Sequence, residues 1–215
     1  MIGYWNYTVI LTFLSLASSV LGMTEAMEGH FTLAIICLAL SGLFDAFDGR
    51  VARTKKDRSN DEKTYGIQLD SLCDMVCFGA FPAFLCYQMG ISRITGTVVM
   101  VLYCMFAVVR LAFFNVLETR EPKEEDGAGK YFHGLPVTSI AVIFPLVYLI
   151  SYWVSRECKP KVLECMLLVT GVLFVVDFKV KKPSLKQLLC IIVFMAVVLV
   201  AAVYLYHWSK MRSLL

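Results

Sequence analysis

Four aspartates, arranged as two pairs, are the residues of this chain whose type and spacing most clearly suggest a chemical role. Asp45 and Asp48 are three positions apart, and Asp70 and Asp74 are four positions apart. If both segments are helical, each pair projects from one face of its helix, because residues at these spacings are neighbours on the helix surface. Two such faces turned toward each other would form a cage of four carboxylates.

This cage predicts a divalent metal site. An aspartate near the centre of a membrane helix costs about 2.5–3.5 kcal/mol, so carboxylates in apolar sequence require a compensating charge. A ligand set made only of oxygen selects hard ions such as Mg²⁺ or Mn²⁺ over zinc. The alternative is a buried charge network with Arg50, Arg53 or Arg110 that serves only the fold. Four carboxylates against one or two nearby arginines would still leave surplus negative charge, which cations relieve.

The elements that must position these aspartates are membrane helices. The chain has 215 residues, of which 59% are hydrophobic, and a mean hydropathy of +0.71, which excludes an ordinary soluble domain. The predicted fold class is therefore all-α, a polytopic transmembrane helical bundle that forms a single integral membrane domain over residues 1–215. Apolar runs predict seven helices, over residues 5–23, 31–53, 66–89, 94–117, 134–155, 161–177 and 185–207.

Three polar segments rich in Lys and Arg define the predicted cytoplasmic side, and they cover residues 50–63, 118–130 and 179–186. This orientation places the N-terminus inside, the C-terminus outside, and both aspartate pairs toward the cytoplasmic ends of their helices, where a soluble substrate would arrive. The net charge of +3 is modest. We interpret the basic segments as topology signals and as contacts with anionic membrane lipids, and we expect no nucleic-acid binding.

The aspartates belong to a longer motif. It reads Asp45-x-x-Asp48-Gly49-x-x-Ala52-Arg53, then a polar linker, then Gly66-x-x-x-Asp70-x-x-x-Asp74. This pattern resembles the CDP-alcohol phosphotransferases, membrane enzymes that displace CMP from a CDP-activated lipid or alcohol. The interval between Arg53 and Gly66 is a few residues longer than the family usually shows, but it lies in the linker, where insertions cost little.

The resemblance implies a role for each residue of the motif. Two Mg²⁺ or Mn²⁺ ions would hold the pyrophosphate of the CDP donor, and Asp74 would also act as the general base. Phosphoryl transfer needs charge neutralisation at the leaving group and an in-line nucleophile, and a two-metal clamp supplies both. The implied metal ligands are Asp45, Asp48, Asp70 and Asp74, and the implied nucleotide-binding residues are Asp48, Gly49, Ala52, Arg53 and Gly66.

The sequence around the second pair is similar to one branch of this family, the phosphatidylserine synthases. Residues 69–83 read LDSLCDMVCFGAFPA, against LDSLADxVSFGxAPA as the typical form of that branch. Residues 110–115, 132–136 and 179–183 point the same way. Because the resemblance extends to about residue 186, it implies a six-helix catalytic core over about 1–186, with the helix over 185–207 as an addition.

The branch implies that L-serine is the acceptor, whose hydroxyl would attack the β-phosphorus of CDP-diacylglycerol to give phosphatidylserine and CMP. Candidates for binding serine are Arg110 and Asn115, at the cytoplasmic end of the fourth helix, and His133 in the loop that follows. Arg110 is costly inside a membrane unless it binds a ligand or pairs with an aspartate. A lone loop histidine such as His133 is also explained as a solvated side chain.

Two other functions stay open at this point. A sister enzyme would use the same donor with glycerol phosphate or inositol phosphate, and would need a further basic cluster at membrane depth, of which the sequence offers none beyond Arg110. A cation transporter would bind its transported ion at the aspartates, but such proteins commonly carry inverted repeats or broken helices, which are not visible here. The resemblance also suggests a homodimer in the cell membrane, of the bacterial type, with its active site facing the cytoplasm.

Overall fold

The computed structural model describes residues 3–119, 131–155, 157–181 and 185–212, and it is an all-α bundle as predicted. Five of its helical segments are long and apolar enough to cross a membrane, so the chain is an integral membrane protein. The helices are α1 Ile10–Met27, α2 Phe31–Ala52, α3 Asn60–Asp74, α4 Phe81–Gln88, α5 Thr95–Thr119, α6 Ile140–Ile150, α7 Lys159–Val175 and α8 Leu185–Arg212.

A single π turn, Met75–Ala80, joins α3 and α4 into one continuous helix of 29 residues. Pro82 explains part of this irregularity, because it has no N–H to donate to the carbonyl of Phe78 one turn earlier. The hydroxyl of Tyr103, on α5, donates to that carbonyl instead, at 2.6 Å. The π turn therefore sits where a side chain of a neighbouring helix replaces a lost backbone hydrogen bond.

Helix α3 begins at Asn60, earlier than the predicted start at residue 66. A capping box causes this difference: the Ser59 hydroxyl accepts a hydrogen bond from the backbone N–H of Glu62, and the Glu62 carboxylate accepts one from the N–H of Ser59. Such a reciprocal pair satisfies two backbone donors at the helix start. The second half of the predicted linker, from Asn60 onward, thus belongs to α3.

Helix α6 is shorter than the helix predicted over residues 134–155. Gly134 has a φ of +75°, a left-handed conformation that glycine adopts readily and that is incompatible with a regular helix. A 3-10 turn, Val137–Ser139, precedes α6, and another, Ser151–Trp153, follows it. The helix predicted over 161–177 is observed as α7, shifted slightly toward the N-terminus.

Two short strands were not predicted. β1, Tyr131–His133, pairs antiparallel with β2, Lys179–Lys181, with Phe132 opposite Val180. The pairing extends into the next turn, where the N–H of Gly134 donates to the carbonyl of Phe178 at 2.8 Å. The segments before α6 and after α7 therefore meet on one side of the bundle, as expected if both face the same membrane surface.

The N-terminal segment reaches the linker between α2 and α3. The hydroxyl groups of Tyr7 and Thr54 are 3.0 Å apart, and the rings of Tyr4 and Tyr65 pack edge to face with centroids 5.5 Å apart. The N-terminus and the linker between the two aspartate-bearing helices consequently lie at the same end of the bundle.

Packing in the hydrophobic core holds α2 and α3, the two helices that carry the aspartates. Helix α1 packs along α2, and α5 packs along α7. The centre of the core is aromatic, and its largest side chains are almost fully buried: Phe78, Phe81, Tyr103, Phe144 and Phe174. Helix α8 contacts α6 and α2 through a narrow buried stripe of Met195, Val198 and Ala202, and much of its remaining described surface is exposed.

Candidate functional site

The four aspartates meet between α2 and α3. Asp45, Asp70 and Asp74 each offer a carboxylate oxygen, and these oxygens all lie within 4.8 Å of one another. The carboxyl groups of Asp45 and Asp74 lie within hydrogen-bonding reach of each other, and so do those of Asp48 and Asp70. Both contacts cross from one helix to the other, so the two pairs face each other. Carboxylates approach this closely only with a proton or a cation between them.

The site is enclosed. Asp48 is 7% exposed and Asp74 is 8% exposed, while Asp45 and Asp70 are partly buried. One buried oxygen, Oδ1 of Asp70, has no hydrogen-bond partner. A buried polar atom without a partner in the chain is uncommon in folded proteins and is available to a ligand. A hard divalent cation fits this oxygen-only set of donors.

The charge network considered as an alternative is not formed. Within the described ranges, no ion pair includes any of the four aspartates. The guanidinium of Arg50 lies over the ring of Phe47 at 5.8 Å, and Arg53 is exposed at the end of α2. Arg110 contacts a backbone carbonyl, as described below. The aspartates therefore obtain no counter-charge from these arginines.

One residue of the site was missed in the sequence. Thr12, on α1, donates a hydrogen bond from Oγ1 to Oδ2 of Asp48 at 3.0 Å, and its side chain is buried. Further hydroxyls follow along the same helix: those of Ser15 and Ser19 both contact the Ser41 hydroxyl on α2, at 2.7 and 2.9 Å. Hydroxyl residues recurring at helical spacing in an otherwise apolar helix were the available signal.

The predicted nucleotide positions have different surroundings. A Cβ atom built on Gly49 would meet nothing within 4 Å, so the space beside this glycine is open. Ala52 lies one turn further along α2, and Arg53 follows it. The space beside Gly66 is filled instead, because a Cβ there would lie 2.5 Å from Nη2 of Arg58.

Arg110 lies beside the segment that precedes α6. Its side chain is 6% exposed, Nε donates to the carbonyl of Leu135 at 3.3 Å, and the guanidinium lies over the ring of Phe114 at 5.8 Å. This places Arg110 next to the 132–136 segment, with which it was grouped from the sequence.

Asn115 lies against α3. Its side-chain oxygen accepts a hydrogen bond from Ser71 at 2.6 Å, and its amide donates to Gln68 at 3.4 Å. Arg110 and Asn115 are five residues apart on α5, which separates them by roughly 140° around the helix axis. His133 belongs to β1, and its side chain lies outside the described part of the structure. Arg110 and Asn115 therefore contact different neighbours, the Leu135 carbonyl and α3.

The sequence of this chain is similar to those of known proteins. The family model of the CDP-alcohol phosphatidyltransferases matches residues 5–176. The archaetidylserine synthase of Methanothermobacter thermautotrophicus is 34% identical over 145 residues, which cover 67% of this chain and 58% of that protein. The CDP-diacylglycerol–serine O-phosphatidyltransferase of Saccharomyces cerevisiae is 34% identical over 60% of this chain and 47% of the yeast protein. The enzyme of the same name from Helicobacter pylori is 31% identical over 86% of this chain and 79% of its own length.

Proposed function

The chain belongs to the CDP-alcohol phosphatidyltransferase family, and we propose that it transfers the phosphatidyl group of CDP-diacylglycerol to the hydroxyl of L-serine and releases CMP. The observation that carries this proposal is the cluster of four aspartates that face one another across α2 and α3 without a cation from the chain. The relatives named as serine O-phosphatidyltransferases and the sequence of residues 69–83 support serine as the acceptor.

The aspartates would hold two Mg²⁺ or Mn²⁺ ions. Asp45, Asp48, Asp70 and Asp74 supply the oxygen ligands, and the unpartnered Oδ1 of Asp70 is one atom that an ion would satisfy. When bound, the ions would neutralise the charge of the diphosphate as CMP leaves. Thr12 acts as a positioning residue, because its hydrogen bond holds one oxygen of Asp48 and so orients the other.

Asp74 is the proposed general base. It lies at the last position of α3, directly before the π turn, and is almost completely buried. Asp74 accepts the proton of the serine hydroxyl while that oxygen forms its bond to the phosphorus. The bond between this phosphorus and the CMP oxygen breaks, and CMP leaves with the electron pair. The buried position excludes bulk water, which would otherwise compete with serine for the phosphorus.

The nucleotide binds toward the linker end of the site. Asp48, Ala52 and the open space beside Gly49 provide one side of this region, and Gly66 borders it on α3, where the guanidinium of Arg58 fills the space beside the glycine. Arg53 is exposed at the end of α2 and is available to a phosphate oxygen. Gly49 and Ala52 let the nucleotide approach the backbone of α2 closely.

Serine would enter between α5 and the segment that precedes α6. Asn115 is linked through Ser71 to the helix that carries Asp70 and Asp74, so it can hold the amino acid near the base. Arg110 supplies a cation for the serine carboxylate. His133 is the third candidate, since β1 leads into the turn that Arg110 contacts.

The protein would work as a homodimer in the cell membrane, with this site facing the cytoplasm. The basic residues of the linker and of the segment around β2 support that orientation, because positive residues concentrate on the cytoplasmic side. Residues 1–215 would form a single membrane domain whose catalytic core ends near residue 186. Helix α8 begins after the family match ends at residue 176, which supports its interpretation as an addition.

The test is an assay of purified protein in lipid vesicles with CDP-diacylglycerol, Mn²⁺ or Mg²⁺ and radiolabelled L-serine. We expect labelled lipid and an equal amount of CMP, both lost in Asp74→Asn. CMP release only with glycerol phosphate or inositol phosphate would identify a sister enzyme. An absence of CMP with every acceptor would contradict the proposal and favour a cation transporter.

A further inference from the structure

The linker between α2 and α3 carries an arginine that joins the two aspartate-bearing helices. Arg58 donates from Nη1 to the carbonyl of Ala52 at 3.5 Å and from Nη2 to the carbonyl of Glu62 at 3.1 Å. Ala52 is the last residue of α2, and Glu62 belongs to the first turn of α3. The guanidinium therefore lies between the linker ends of both helices.

The guanidinium of Arg58 forms no direct ion pair with a carboxylate in the part of the chain that the structure describes. Both of its hydrogen bonds go to neutral backbone carbonyls. The Glu62 carboxylate is already engaged by Nζ of Lys55 at 2.9 Å and by the N–H of Ser59 at 3.2 Å. The Nε atom of Arg58 is buried and has no hydrogen-bond partner at all. A buried donor of this kind is available to an acceptor that the chain does not itself supply.

The guanidinium of Arg58 lies beside Gly66 of α3. Its Nη2 atom is 2.5 Å from the point where a Cβ of Gly66 would be. Gly66 precedes Asp70 by one helical turn, which corresponds to about 6 Å along the axis. A ligand held by the aspartates and extended along α2 and α3 toward the linker would reach the guanidinium. Arg58 also lies within the interval that is longer here than in typical family members.

We propose that Arg58 is a further nucleotide-binding residue, whose guanidinium donates a hydrogen bond through Nε to an oxygen of the CMP part of the donor. The inference rests on the proposed function, since it takes the ligand at this site to be a cytidine nucleotide. An arginine suits this role because its planar donors match phosphate oxygens and pyrimidine carbonyls, whereas a lysine presents one compact charge.

The competing explanation is a purely structural role, in which Arg58 only connects two helix ends through its hydrogen bonds. The two explanations differ in what they predict for binding. With a purely structural role, substitution of Arg58 changes thermal stability and leaves the affinity of the folded protein for CMP unchanged. A nucleotide-binding residue changes that affinity even where stability is retained.

The experiment measures the affinity of the vesicle-reconstituted protein for CMP in the presence of Mn²⁺ by isothermal titration calorimetry, with the melting temperature recorded for each variant. Arg58→Gln should weaken CMP binding about tenfold or more, because a charge-assisted hydrogen bond is lost. Lys56→Gln is the matched control, since Lys56 is an exposed cation of the same linker, and it should change the affinity less than about twofold.

Arg58→Lys is the second variant, should Arg58→Gln fail to fold, because it keeps the charge but has no Nε–H. It should also weaken CMP binding. Unchanged CMP affinity in either folded variant, with or without a lower melting temperature, would overturn the inference. Repeating the titration with cytidine identifies the contact: loss for CMP alone assigns Arg58 to the phosphate, and loss for both ligands assigns it to the nucleoside. If the wild-type protein binds no CMP with Mn²⁺, the proposed function itself is wrong, and this inference fails with it.

Discussion

Two buried carboxylate sites at opposite ends of the bundle show how differently one chain treats its acids. Glu164, in α7, is 7% exposed, and both of its oxygens have donors. Oε1 accepts from the backbone N–H of Ser92 at 2.8 Å, while Oε2 accepts from Nζ of Lys161 at 2.8 Å and from the hydroxyl of Thr95 at 3.3 Å. This acid joins the start of α7 to the start of α5 and has its counter-charge within the same chain.

The aspartate cluster has the opposite character. Its acids contact one another, Thr12 supplies a neutral hydroxyl to Asp48, and Oδ1 of Asp70 has no partner. A buried acid that serves the fold is stable because its partners are built in, whereas facing acids without a cation are stable only when ions or protons come from solution. Under the proposed function, the difference between the two sites is the difference between a structural acid and a ligand-binding one.

Removing the metal should have the largest effect on activity, and it should act only through the aspartate cluster. Dialysis against EDTA should abolish CMP release, and restoring Mn²⁺ or Mg²⁺ should recover it. Because an ion that binds only the folded state stabilises it by about 2.7 kcal/mol at one hundred times its Kd, the melting temperature should rise on metal addition. Asp70→Asn should remove that rise, and Glu164→Gln should preserve it. A rise that persists unchanged in Asp70→Asn would place the ion elsewhere.

Asp74→Asn should come next in size. The amide keeps the shape of the side chain but cannot accept the serine proton, so turnover should fall by about 10²–10⁴-fold. Calorimetry with CMP and Mn²⁺ should still detect nucleotide binding through the remaining ligands. A variant that turns over at the normal rate would exclude Asp74 as the base.

Thr12→Val tests whether the Thr12 hydroxyl, a neutral hydrogen-bond donor, affects metal binding by the aspartate cluster. Loss of the hydrogen bond to Asp48 should lower the apparent affinity for Mn²⁺ by about tenfold or more, as is typical when the partner of a metal ligand is removed. Saturating Mn²⁺ should restore most of the rate, which separates positioning from catalysis. Thr12→Ser keeps the hydroxyl and should bind Mn²⁺ like the wild type. Equal affinities in Thr12→Val and the wild type would show that this hydrogen bond has no role in metal binding.

Arg110→Ala should have a smaller and more selective effect. If Arg110 binds the serine carboxylate, its loss should raise the apparent KM for serine more than that for CDP-diacylglycerol. Arg110→Lys keeps a cation and should show a weaker effect of the same kind. Equal changes in both constants would indicate that the contact with the Leu135 carbonyl, and hence packing, is the role of this residue.

The helices and the aspartate pairs could be predicted because both depend on local spacing. Apolar runs gave the seven helical segments, and spacings of three and four placed each pair on one helix face. The pairing of β1 with β2 could not be predicted, because it joins two short segments separated by a whole helical hairpin. The late start of α6 follows from the positive φ of Gly134 and from the 3-10 turn Val137–Ser139, neither of which the apolar pattern reveals.

The contacts between elements also could not be predicted from the sequence. Thr12 reaches Asp48 only because α1 and α2 have a particular rotation and depth relative to each other, and periodicity within one helix does not specify these. Arg58 beside Gly66 depends on how the linker folds back onto α3. Asn115 and Arg110 were grouped by closeness in sequence, but the turn of α5 directs them toward different neighbours.

Glu164→Gln should have the smallest effect on catalysis and completes the comparison. The neutral amide loses the ion pair with Lys161, and its single oxygen cannot accept as many hydrogen bonds from Ser92 and Thr95, so the fold should lose about 1–3 kcal/mol. The KM for serine and the response to Mn²⁺ should not change, because the site lies at the other end of the bundle. Thermal unfolding and CMP release measured on the same preparation check both parts. A variant with normal stability but altered metal dependence would mean that the two acidic sites are coupled, so that the division between structural and ligand-binding acids would not hold in this chain.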